Sequence, residues 1–161
     1  MQGKMMATIM AMAAALTWAA FAKGAKVPPS AHVTEQDVIA FADEFGAISE
    51  ELQGYPYIEE DMNIDDMAKV IGEEEMERVL EKHGITGPNR RKKVNMITLC
   101  YAKAKIEKEL ADAPLFLRSS IRRKIKKEFD ENINPDDENT VRLHADYLNE
   151  KLDAFFSEEE F

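Results

Sequence analysis

One cysteine, Cys100, stands in 161 residues, so no intramolecular disulfide can staple the chain, and the core has to come from packed side chains. Three histidines, His32, His83 and His144, are widely separated, and no pair has the helical spacing of metal ligands, which argues against a zinc site. No stretch longer than a few residues alternates strictly between apolar and polar side chains, so half-buried strands are not expected. No catalytic, nucleotide-binding or metal-binding motif rises above background, and no cofactor is expected. Long uncharged runs are also scarce. The only one, Met5 to Phe21, lies at the N-terminus and is mostly Ala and Met.

That run follows Lys4 and leads to Ala20-Phe21-Ala22, a small-x-small triplet of the kind signal peptidase accepts. Its 17 residues are at the short edge of what spans a bilayer, and alanine is a poor membrane former. Residues 1–22 are therefore read as a signal peptide cleaved after Ala22, in preference to a retained anchor, and a periplasmic or secreted location follows. No cysteine near the exit offers a lipid attachment point. Residues 23–33, with two prolines and small side chains, read as a flexible leader. Residues 34–161 read as one domain, large enough to bury roughly two thirds of its unfolded surface.

Within that domain the apolar spacing is helical. Thr34 is an N-cap with Glu35 and Asp37 in the first turn, and Val38, Phe41, Phe45, Ile48 and Leu52 follow at steps of three and four. Gly54 and Pro56 end that helix. A shorter helix over about 60–71 uses Met62, Ile64, Met67, Val70 and Ile71 and stops at Gly72. A third runs through Met76, Val79 and Leu80 and closes with Gly84 at the C′ position. A fourth, about 88–111, places Val94, Ile97, Tyr101 and Ala104 on a stripe widened by Met96, Leu99 and Cys100, and should be the most buried. After Pro114 a fifth helix, about 115–131, carries Leu117, Ile121, Ile125 and Phe129. Asn134-Pro135 starts a last helix bearing Val141, His144 or Ala145, Leu148, Leu152 and Phe155. The fold class is all-α: a helical bundle of four to six helices with antiparallel neighbours.

The net charge of −10 conceals a segregation. Residues 23–89 hold five basic and sixteen acidic side chains, residues 90–127 thirteen and three, and residues 128–161 two and twelve. If the fourth and fifth helices form a hairpin about Pro114, one positive ridge results. Arg90, Arg91, Lys92, Lys93, Arg118, Arg122, Arg123 and Lys126 are its candidate binding residues for an anionic partner. The competing expectation is that the acidic flanks neutralise the hairpin through surface pairs, each worth about 0–1 kcal/mol. Nucleic acid is not expected as a partner of an exported, acidic chain without a recognised binding motif.

Other patterns have ordinary explanations. Asp130 to Glu138 spaces oxygen ligands like half an EF-hand loop, but position six is Pro135 and position twelve is Val141. Glu59-Glu60-Asp61 and Asp65-Asp66 read as solvated acidic faces. Cys100, among Met96, Ile97, Leu99 and Tyr101, reads as a buried, inert thiol.

Thr34-x-x-x-Val38-x-x-Phe41, Tyr55-Pro56, and Leu80-x-x-His83-Gly84 ahead of the Tyr101-containing helix resemble small exported helical proteins of Gram-negative bacteria with no assigned function. The resemblance spans about residues 34–111. It implies a periplasmic helical domain and carries over no site residues. The expected function is a periplasmic binding protein that contacts a protein, an anionic envelope component or the membrane periphery through the basic hairpin. The alternative is a carrier that holds an apolar molecule between helices, against Phe41, Phe45, Met96, Tyr101 and Phe155. An enzyme is the least favoured reading, and the oligomeric state is not readable from these stripes.

Overall fold

Helix α1 (Glu35–Gln53) begins where the capping signal puts it. The backbone N–H of Asp37 donates to Thr34 Oγ1 at 3.2 Å, and the Asp37 carboxylate accepts from the Thr34 backbone N–H at 3.0 Å. Val38, Phe41, Ile48 and Leu52 on its apolar face are buried. Each stabilises the fold by about 1.5–3 kcal/mol through removal from water. The structure, a computed structural model, describes residues 27–59 and 61–158. The expected signal segment, Glu60 and the last three residues lie outside it.

Helix α2 (Ile64–Ile71) starts later than the apolar pattern suggests, because Asn63 caps it by accepting from the Asp66 N–H at 2.9 Å. Gly72, at φ +98°, is the sole joint to α3 (Glu73–Lys82). Helix α3 ends with Gly84 at C′, as expected, in a Schellman turn: Gly84 at φ +86° allows the Ile85 N–H to reach the Leu80 carbonyl at 3.1 Å.

Helix α4 (Arg90–Asp112) is the hub, packing against every other helix of the described residues. Its buried residues include Val94, Met96, Ile97, Cys100 and Tyr101, in line with the wide stripe in the sequence. Helix α5 (Leu115–Ile125) packs chiefly on α4 and on the turn that follows it.

Two further elements differ from the sequence expectation. The fifth helix does not run evenly to 131 but opens into a π-helical turn, Lys126–Asp130, closed by the Glu131 N–H to the Lys126 carbonyl at 3.3 Å. Ile121, Ile125 and Phe129 are spaced by four, and each such step overshoots a full α-helical turn by about 40°. A wider turn absorbs the drift and brings Phe129, 1 % exposed, into the core. The last helix is two: α6 (Pro135–Leu143), capped by Asn134, and α7 (Ala145–Glu158), broken at His144. The break lets α6 pack on α4 while α7 packs on α1. Leu143, at the break, is left 75 % exposed. Seven α-helices and no strand are present among the described residues, an all-α helical bundle.

The end of the expected leader is also tied down. Asp137, at the start of α6, accepts from the Ala31 N–H at 2.7 Å, the Val33 N–H at 3.0 Å and the Ser30 hydroxyl at 3.0 Å. Asn134 Nδ2 donates to the Pro28 carbonyl at 2.9 Å, and Ala31 and Val33 are buried.

Candidate functional site

The basic block of the sequence divides into cations that the fold consumes and cations that it leaves facing water. The N-terminus of α4 carries four cations and no acid in its first turn, against the sign its dipole favours. Asn89 makes no side-chain cap there. Glu77 of α3 substitutes for one, accepting from the backbone N–H groups of Arg90 and Arg91, each at 3.2 Å. The Arg90 guanidinium reaches Glu81 at 2.8 Å and Glu77 at 3.4 Å, and that of Arg91 reaches Asp65 at 2.6 Å and Glu73 at 3.3 Å. Acidic side chains of α2 and α3 thus hold α4 in place.

Lys93 points inward. Its Nζ lies 2.8 Å from Asp37 Oδ2 and donates to the Thr86 carbonyl at 2.6 Å, in a site where Asp37 is fully buried. The Asp37 carboxylate also accepts from the Thr86 N–H at 2.9 Å, the Thr86 hydroxyl at 3.0 Å and the Thr34 hydroxyl at 2.8 Å. Burial opposes its ionisation, but these donors and the ammonium outweigh burial and hold the carboxyl below its ordinary range.

Farther along α4, Lys103 Nζ sits 2.7 Å from Asp130 and 2.7 Å from Glu138. Burial disfavours its charge, yet the two carboxylates prevail and raise its pKa. Lys105 pairs with Asp153 at 2.8 Å. Internal neutralisation therefore describes Arg90, Arg91, Lys93, Lys103 and Lys105, and the α4 half of the anticipated ridge is not an open surface.

Helix α5 is different. Arg118 is spent locally: its Nε and Nη2 donate to the carbonyls of Ala113 and Ala111 at 2.9 and 3.0 Å, closing the end of α4. Lys124 approaches Glu128 at 4.0 Å. Arg122, Arg123, Lys126 and Lys127, with Lys92 and Lys108 on α4, are exposed and have no ion-pair partner among the described residues. Leu117, expected in the core stripe, is 43 % exposed, because the inward face of α5 is only Ile121 and Ile125. Leu115 and Phe116 are 80 % and 78 % exposed. Neither was singled out from the sequence. The available signal was that they precede Leu117 at the first turn after Pro114, out of step with the Ile121 and Ile125 stripe.

The remaining polar groups have structural employment. His83 lies between α1 carboxylates, Nδ1 at 2.9 Å from Glu44 and Nε2 at 2.7 Å from Glu51. Cys100 is buried, which pushes its thiol up to about 12 and withdraws the thiolate that reactivity needs. The three phenylalanines of the carrier reading lie against one another: the Phe41 and Phe45 rings are 5.3 Å apart and those of Phe45 and Phe155 5.1 Å, both edge to face.

Compared with known proteins, the chain matches no family model, no curated protein and no solved structure.

Proposed function

We propose that the chain is an exported, periplasmic helical binding protein that acts through its surface and receives an anionic partner on α5. The uncompensated charge of that helix and of the start of the π turn that follows it carries the reading. From Ala113 to Lys127 there are six cations and no acid, and four of the six, Arg122, Arg123, Lys126 and Lys127, face water without an ion-pair partner among the described residues. Elsewhere among the described residues most cations are matched by carboxylates; Lys92 and Lys108 on α4 are exposed and unpaired too, but stand far apart along that helix, whereas these four cations are clustered. A strongly acidic protein that keeps one basic helix open has a surface that orients it toward negative charge. The resemblance to small exported helical proteins and the Met5–Phe21 run support the location.

The test is retention of the full chain on a sulfated-polysaccharide resin at low salt. Retention is expected despite the net charge of −10, with release as salt screens the contact. Neutralising the four cations with glutamine should abolish retention. Flow-through of the unaltered chain at low salt, or equal retention of the variant, refutes the reading.

A further inference from the structure

The open face of α5 is not uniformly basic. Leu115, Ser119, Arg122 and Lys126 fall on one stripe at steps of four, three and four, and Phe116, Ser120, Arg123 and Lys127 on the adjacent one. Each stripe therefore begins with a large apolar side chain, passes through a serine and ends in two cations. Leu115 and Phe116, at 80 % and 78 % exposure, are among the most exposed large apolar groups of the described residues. They stand side by side at the bend after Pro114. The two Arg118 bonds to the end of α4 fasten this bend and hold the tip at a hydrogen-bonded corner.

Resting on the anionic-partner reading above, we propose that this face is a docking surface for an anionic phospholipid bilayer, with Leu115 and Phe116 entering the headgroup–acyl boundary and Arg122, Arg123, Lys126 and Lys127 lying on the phosphates. Apolar residues next to lysine and arginine on one exposed helix face are what interfacial helices present to a membrane. A folded protein partner would have to supply a pocket for the two apolar groups beside an acidic strip, whereas a bilayer supplies both layers along its whole surface. A second copy of the chain fits poorly, since a two-fold contact would set this positive face against itself. The acidic remainder of the molecule does not prevent docking. Charges more than about 8 Å from the lipid are largely screened at physiological salt, and the same charges favour approach with α5 foremost.

The site-specific test uses the full chain with Phe116→Cys labelled by an environment-sensitive dye. Cys100 is buried and stays unlabelled. Vesicles containing phosphatidylglycerol should shift the dye emission to the blue, and lipids quenching near the acyl boundary should quench it. Phosphatidylcholine vesicles should do neither. The Met5–Phe21 run is common to every variant, so any attachment through it cancels when variants are compared on the same vesicles. Removing Arg123 and Lys127 by glutamine should lower partition to anionic vesicles by about fivefold per cation. Leu115→Ser and Phe116→Ser should each lower it by about tenfold, with thermal stability unchanged because both side chains are exposed. A silent dye on anionic vesicles overturns the membrane inference, as does a charge variant that partitions like the unaltered chain. If the sulfated resin still retains the chain through these cations while the dye stays silent, only the membrane inference falls. If the resin also fails to retain it, the anionic-partner reading falls too.

Discussion

Replacing Asp37 with asparagine tests the fold at its most constrained polar point. The two side chains are nearly isosteric, so packing changes little and electrostatics changes greatly. Asp37 is fully buried and receives the Lys93 ammonium at 2.8 Å together with donors from Thr34 and Thr86. In the variant, Lys93, itself only 4 % exposed, keeps the Thr86 carbonyl and loses its counter-charge. Breaking a buried pair from one side costs about 3–5 kcal/mol, because a charge is left uncompensated. A domain of this size holds about 5–15 kcal/mol in total. The melting temperature should therefore fall by about 10–20 °C, read by circular dichroism at 222 nm and checked by the urea midpoint. Combining Asp37→Asn with Lys93→Met should recover most of the loss, since the stranded charge is gone, although Thr86 keeps a weakened acceptor. The carboxyl is held below its ordinary range, so its contribution is complete above about pH 4 and disappears as pH falls through the lowered folded value. A fall of less than about 4 °C for Asp37→Asn, or coupling below about 0.5 kcal/mol in the double-mutant cycle, would refute a buried Asp37–Lys93 pair.

Three further outcomes are expected. Burial lowers the His83 pKa, but Glu44 and Glu51 more than offset it and raise the value overall. Its stabilising contribution is therefore full below about pH 6.5 and lost as pH rises through the raised folded value, and His83→Gln should flatten that part of a melting-temperature profile. An unchanged profile would show that the clasp between α1 and α3 carries no charge. Gly84→Ala should cost about 1–2 kcal/mol in denaturant titration, because φ is +86° and the new Cβ would sit 3.3 Å from the Ala40 Cβ. Cys100 should resist an aromatic disulfide reagent at pH 8 in the folded chain and react at once in denaturant, and rapid labelling of the folded protein would contradict its burial.

The features that could be read in advance are those decided within a few residues. Thr34 with Asp37 and Asn134 with Pro135 start helices, and Gly84 stops one, because each capping bond spans only a few positions. The wide stripe of α4 likewise identified the hub. Lys93, expected on the open ridge, and Lys103 were missed, although the signal was present: Lys93, Ile97 and Cys100 share one stripe, as do Met96, Cys100 and Lys103, which puts both lysines on the apolar face. No local rule, however, says that Asp37, 56 residues from Lys93, would receive that ammonium.

By itself the sequence determined an all-helical chain, its main caps and a basic middle between acidic flanks, since helix periodicity and charge count need no knowledge of neighbours. The tertiary structure alone decided the break at His144, the π turn before Phe129 and the division of the basic block. Docking α1, α2, α3, α6 and α7 onto α4 consumed one set of cations as ion pairs, whereas α5, packed through little more than Ile121 and Ile125, kept most of its charges and its apolar tip facing water. A charge's availability depends on what packs against it, and that is a property of the assembled bundle.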